Sequence, residues 1–156
     1  MAAKTTTGNF FEDFQVGQVF HHAVPRTVSE GDLALYIALT GDRRPLHCSR
    51  EFAQSLGFKR EVVHDLLVFH LVFGRAVPDV SLNSPANLGY ADVRFLNTVY
   101  PGDTLRAETE VIGKRETSRP DVGIVWVRTR GSNQRDEPVL QFYRWAMVNK
   151  RDPNTN

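Results

Sequence analysis

The chain has 156 residues, with 19 lysines and arginines against 18 aspartates and glutamates, and a formal net charge of +1 at pH 7. This length suits one domain that buries roughly 70% of the surface its unfolded chain exposes. Because acidic and basic residues are spread along the whole chain, the charge argues against nucleic acid or an anionic membrane surface as the main partner. We expect one domain over residues 9–151 and flexible polar tails at 1–8 and 152–156.

The cysteine count and the N-terminus bear on the compartment. Cys48 is the only cysteine, which excludes an intramolecular disulfide and fits a reducing environment. Residues 1–8 are small and polar, and no stretch approaches the ~20 apolar residues that span a bilayer. We therefore expect a cytoplasmic protein with no membrane partner.

The first third of the chain predicts a strand and then a helix. Residues 18–28 contain enough Val, Phe and Thr for a strand. Ser29 and Asp32 have the spacing of a capping box, so a helix is predicted to begin there. Gly41 suits the left-handed residue just past a helix end. One face of this helix carries Leu33, Tyr36, Ile37 and Thr40.

A second short helix is predicted to follow, capped by Ser49 and closed by Gly57. Residues 42–48 are then a short loop held between two helices. Residues 62–77 are apolar nearly all round, which predicts a helix buried on most sides that ends before Pro78.

Four extended segments with turn residues between them complete the pattern. They are Leu88 to Val99, Asp103 to Glu116, Val122 to Gly131 and Pro138 to Asn149. The third has apolar residues on both faces, as expected between a helix on one side and a partner subunit on the other. A strand, then helices, then an antiparallel meander is an α+β pattern, and a long helix packed on a curled antiparallel sheet is its simplest assembly.

Asp42 and His47 are the candidate catalytic pair. They are five positions apart in a segment where Pro45 fixes φ and biases Arg44 to an extended shape. Adding water across a polarised double bond requires one group to take a proton from water while a proton is delivered to the α carbon, and a carboxylate with an imidazole can do both near neutral pH. The alternative from spacing alone is that Asp42 caps the next turn and His47 is a surface histidine.

Several short runs carry a family resemblance when they are taken in order. They are Leu39-Thr40-Gly41-Asp42, Pro45-Leu46-His47, Phe52-Ala53, Gly57-Phe58, His64, Val93-Arg94-Phe95-Leu96 and Pro101-Gly102-Asp103-Thr104-Leu105. This order resembles the landmarks of MaoC-like (R)-specific enoyl-CoA hydratases. The resemblance implies a hot-dog fold, in which a five-stranded antiparallel sheet wraps around the helix at 62–77. It also implies a homodimer or higher homo-oligomer with sites near the subunit interface, where Asp42 and His47 activate water and shuttle the proton of an acyl-CoA substrate.

The chain departs from that family's pattern at two positions. Arg44 stands where the family usually has Asn, and its guanidinium suits capture of a substrate carboxylate, although it could equally face solvent or pair with a surface acid. Asp65 follows His64 where the family usually has Gly. The backbone N–H groups near His64 and Asp65 could still polarise the thioester carbonyl, or Asp65 could simply cap the helix.

Longer runs are similar to mesaconyl-CoA hydratases, also called β-methylmalyl-CoA dehydratases. They are Asp65 to His70, Pro78 to Asn83, Ala86 to Asp92 and the segment from Tyr143 to Asp152. Those enzymes resemble two hot-dog units in one chain, whereas this chain has one unit. The resemblance nevertheless extends the predicted substrates to dicarboxylic acyl groups such as mesaconyl.

We predict a hydratase/dehydratase with no cofactor and no metal. His64 and His70 are ~240° apart on a helix and are poor joint metal ligands, and Cys48 beside His47 is poorly placed as a nucleophile. Two alternatives remain: a hot-dog thioesterase, and a non-catalytic hot-dog subunit or acyl-binding module.

Overall fold

The structure, a computed structural model, describes residues 8–151. The predicted tails at 1–8 and 152–156 lie outside the described residues, except for Gly8, which is buried and so does not belong to a flexible tail. The helices are α1 (Glu30–Thr40), α2 (Pro45–Cys48), α3 (Arg50–Ser55) and α4 (Asp65–Ala76), with a 3₁₀ turn at Phe11–Asp13 and a π-helical segment at Val77–Ser81. The strands are β1 (Val19–His21), β2 (Arg26–Thr27), β3 (Ala86–Phe95), β4 (Thr104–Glu116), β5 (Val122–Ser132) and β6 (Pro138–Asn149).

The strands form one antiparallel sheet in the order β1-β4-β5-β6-β3, with β2 pairing to β4 beside β1. Helix α4 packs on one face of this sheet. Its buried residues Val68, Leu71 and Val72 join a core with Leu105 and Phe142 from the strands. A long helix held by an antiparallel sheet is the hot-dog architecture, which confirms the predicted α+β fold, although β2 makes the sheet six-stranded and not five-stranded as predicted.

Gly131 lets α4 approach the sheet closely. A methyl group placed on Gly131 would lie 2.6 Å from Cγ2 of Val72, so any side chain there would push the helix away. This contact positions the helix on which the candidate site depends.

The helix signals before the site are confirmed. The hydroxyl of Ser29 accepts a hydrogen bond from the amide of Asp32, whose carboxylate accepts one from the amide of Ser29, which completes the capping box of α1. Gly41 has φ 73°, a left-handed conformation that ends the helix. Ser49 caps α3 as predicted.

Three predicted boundaries are wrong. The first strand is not continuous over 18–28 but is split into β1 and β2, both paired to β4. The segment 42–48 is not all loop, because Pro45 suits the first helical position and begins α2. The central helix starts at Asp65, not at Val62, and continues past Pro78 as a π-helical segment.

Candidate active site

Asp42 follows the left-handed turn that ends α1, and two side chains hold its carboxylate. Arg44 Nε donates to both carboxylate oxygens at 3.0 and 3.1 Å, and its Nη2 lies 2.9 Å from Oδ2. The ring of His64 contacts Oδ2 through Nε2 at 2.8 Å. The hydrogen bonds from Arg44 and then from His64 hold the pKa of Asp42 well below its usual range. Asp42 is therefore a fixed carboxylate at neutral pH.

His64 is the N-terminal cap of α4, and that role sets its tautomer. The backbone N–H of Leu66 donates to Nδ1 of His64 at 3.1 Å, so in the neutral ring the proton is on Nε2 and is donated to Asp42. Arg44 Nη2 lies 3.0 Å from the same Nε2. Both of these nitrogens then carry a proton and cannot hydrogen-bond to each other, so Arg44 is held in place by Asp42.

His47 is buried, with 3% of its surface exposed, and has one free ring nitrogen. Its Nδ1 lies 2.8 Å from the carbonyl oxygen of Val62. Because a carbonyl only accepts, Nδ1 carries the proton in the neutral ring and Nε2 keeps its lone pair. Among the residues that the structure describes, Nε2 has no hydrogen-bond partner. A buried imidazole with a free lone pair is suited to act as a general base.

Both candidate catalytic residues contact His64. The rings of His47 and His64 are 4.9 Å apart between centroids, and His64 contacts Asp42 directly. His47 also lines a cleft of about 470 Å³ together with Leu33 and Ile37 of α1. The structure thus brings Asp42, Arg44 and His64 into direct contact with one another. It places the ring of His47 next to the ring of His64.

Asp65 is exposed and begins α4. Helix geometry leaves the N–H groups of a first turn without partners inside the helix, and the one on Leu66 is used by His64. Asp65 also borders a recess of about 270 Å³ with Val62, Leu96 and Asn97. Asp65 thus lies at the positive end of the helix dipole and beside this recess.

Tyr36 belongs to the site, although the sequence identified it only as a packing residue of α1. Its ring lies 5.0 Å from that of His64 between centroids. Burial and the negative charge of Asp42 raise the pKa of the Tyr36 hydroxyl. The sequence signal for this role was that Tyr36 lies six residues before Asp42, on the helical face that also carries Ile37.

Two structural findings concern other functional classes. Within residues 8–151, no group of three or more His, Cys, Asp or Glu side chains is arranged to hold a metal ion. In the same range, no helix combines the length and the apolar character needed to cross a membrane.

The sequence profile of the MaoC-like domain matches residues 13–131. The chain is 57% identical over 154 residues to β-methylmalyl-CoA dehydratase of Chloroflexus aurantiacus, covering 99% of this chain and 44% of that protein. It is 57% identical over 149 residues to mesaconyl-CoA hydratase of Cereibacter sphaeroides, covering 96% of this chain and 43% of that protein. The chain thus spans less than half the length of these curated relatives.

A solved structure from Mycobacterium tuberculosis, described as a double hot-dog fold, is also similar. It superposes with a TM-score of 0.86 at 30% identity, covering 96% of this chain and 46% of that one. The whole of this chain is therefore similar to about one half of a two-unit protein.

Proposed function

The chain belongs to the MaoC-like domain family, and on that premise we propose that it is a hydratase/dehydratase that adds water to, or removes it from, the α,β double bond of an acyl-CoA thioester. One observation carries the proposal: the carboxylate of Asp42 and the ring of His47 both contact His64, and Nε2 of His47 has no hydrogen-bond partner among the described residues. The names of the relatives at 57% identity support the same reaction class.

In the proposed reaction, water is held between Asp42 and Nε2 of His47. The water oxygen attacks the β carbon while the pair removes its proton, and the pair returns a proton to the α carbon. The electron pair of the double bond moves toward the thioester oxygen during this step. N–H groups near His64 and Asp65 at the start of α4 would stabilise that oxygen, because a helix N-terminus presents free donors and a positive dipole end.

Arg44 and His64 are proposed to position Asp42 and to border the acyl group. Fixing the carboxylate in advance removes the need to order it when substrate binds. The Arg44 side chain is 56% exposed, so it can also meet a substrate carboxylate. The substrate class that we propose includes dicarboxylic enoyl thioesters such as mesaconyl-CoA.

A homodimer or higher homo-oligomer in the cytoplasm is proposed for the assembly, with β3 as its contact edge. Leu88, Tyr90, Val93 and Phe95 of this strand are 39–48% exposed, and β3 lies at the end of the sheet order. A long apolar edge strand is a template for pairing with another chain. A second copy would supply the second unit that the longer relatives carry within one chain. Sedimentation of an active monomer at micromolar concentration would contradict this assembly.

The function is tested by mixing the pure protein with crotonyl-CoA and, separately, with mesaconyl-CoA. We expect the conjugated enoyl absorbance to fall while the free thiol concentration stays constant. Release of thiol would instead indicate the thioesterase alternative. No change in either signal would indicate the non-catalytic subunit, an alternative favoured by the contact of Arg44 with the candidate catalytic carboxylate.

A further inference from the structure

Arg144 of β6 is a fully buried arginine outside the candidate active site. It points to the helix side of the sheet, where its guanidinium lies 4.7 Å from the ring centroid of Phe73. Nη1 donates to the hydroxyl of Ser81 at 3.2 Å and to the side-chain oxygen of Asn87 at 3.4 Å. One corner of the guanidinium is therefore fixed by polar groups.

The opposite edge of the Arg144 guanidinium is free. Among the described residues, neither Nε nor Nη2 has a hydrogen-bond partner. These two nitrogens form one side of the guanidinium fork, and their parallel N–H groups match the two oxygens of a carboxylate. Burial lowers the pKa of Arg144 to about 10, so the group is still a cation at neutral pH. A buried cation with two open donors is costly unless an anion completes it.

The chain does not complete this site from its own described residues. Asp79 lies in the same segment as Ser81, but its carboxylate contacts Nδ1 of His22 at 2.6 Å. Within residues 8–151, the hydrogen-bond acceptors of Arg144 are the neutral side chains of Ser81 and Asn87. An anion that paired with Nε and Nη2 would therefore come from outside this part of the chain.

Arg144 lies on the strand next to the edge strand of the sheet. Asn87 and Tyr90 of β3 are exposed, and β3 is the strand that pairs with β6 at the edge of the sheet. Ser81, Asn87 and Arg144 also lie in three separate runs by which the sequence resembles mesaconyl-CoA hydratases. The fold brings these distant runs together around one guanidinium.

We propose that the free edge of Arg144 binds a carboxylate supplied from outside the chain. That carboxylate belongs either to the acyl group of the thioester or to a second copy of the protein. The first source rests on the proposed hydratase function, whereas the second does not. In either case the site takes a planar anion that offers two oxygens.

The two sources are separated by experiments that need no turnover. Succinyl-CoA and butyryl-CoA differ by a carboxylate in place of a methyl group, and neither has a double bond to hydrate. Their affinities are measured by calorimetry on the wild type, on Arg144→Met and on Arg130→Met as a matched control from the neighbouring strand. Sedimentation of the same three proteins measures self-association.

If the thioester supplies the carboxylate, Arg144→Met should weaken succinyl-CoA binding about 10- to 100-fold and leave butyryl-CoA binding unchanged. If a second copy supplies it, Arg144→Met should raise the dimer dissociation constant at least ~10-fold and affect both thioesters alike. Arg130→Met should change neither the affinity for succinyl-CoA nor the dimer dissociation constant. An unchanged affinity ratio together with unchanged self-association overturns the proposal, whether or not the protein hydrates an enoyl thioester.

A second measurement covers the case in which Arg144→Met does not fold. Arg144→Lys keeps the charge but loses the two-donor edge of the guanidinium. It should therefore show the same loss as Arg144→Met, either of succinyl-CoA affinity or of self-association. In the wild type, the Nε–H resonance of Arg144 should shift with succinyl-CoA and not with butyryl-CoA, or with protein concentration if a second copy is the source. A resonance that responds to neither contradicts the carboxylate site.

Discussion

Replacing His47 by Asn tests the candidate base while keeping its hydrogen bond to the backbone. The Asn side-chain amide can stand where Nδ1 stands and donate to the carbonyl of Val62, a contact of 2.8 Å in the wild type. Nothing in the Asn side chain replaces the free lone pair of Nε2. The variant should therefore lose proton transfer and keep the fold.

The expected magnitudes follow from these two contacts. Loss of general acid–base help should lower kcat/KM about 100-fold or more, which is about 3 kcal/mol of transition-state stabilisation. His47→Gln should lose as much activity, because an amide is not a base at either ring position. His47→Ala also leaves the buried carbonyl of Val62 unpaired, so its free energy of unfolding should fall by about 1–3 kcal/mol more than that of His47→Asn.

The assay is hydration of the better of crotonyl-CoA and mesaconyl-CoA, with thermal unfolding of each variant measured in parallel. A loss of about 1 kcal/mol should lower Tm by roughly 2–4 °C in a domain of this size. Near wild-type turnover in His47→Asn would show that Nε2 is not the base. Equal Tm values for His47→Asn and His47→Ala would refute the role given to the Val62 contact.

Three further predictions concern Asp42, Arg44 and His22. Asp42→Asn should lower hydration about 100-fold or more with the fold intact, and near wild-type turnover would exclude Asp42 from catalysis. Arg44→Asn should raise the pKa of Asp42, which moves the acid limb of the kcat/KM profile to higher pH. It should also shift preference from mesaconyl-CoA toward crotonyl-CoA, and an unchanged ratio would limit Arg44 to holding Asp42. Burial lowers the pKa of His22 despite its contact with Asp79, so the unfolded chain takes up the proton first and stability should fall as pH drops below about 6.5. His22→Gln should flatten that dependence in acid unfolding curves.

The local elements were predictable because their signals lie within a few residues of one another. The capping box at Ser29 and the left-handed position at Gly41 are local backbone requirements, and they fixed α1 closely. The apolar run at 62–77 identified the central helix, and the alternation after it identified the meander. The end of the central helix was missed because a π-helical segment carries the chain through Pro78. Its start was placed too early because the apolar run includes Val62 and Val63, which precede the His64 cap.

The sequence by itself determined the fold class, the family resemblance and the identity of Asp42 and His47 as candidates. Only the tertiary structure decided what those side chains contact. Arg44 and His64 contact Asp42, and the ring of His47 lies near that of His64, because the fold brings the start of α4 to the segment that follows α1. The free edge of Arg144 was likewise invisible in the sequence. A hydrogen-bond partner or its absence depends on residues far apart in the chain, and only packing brings those residues together.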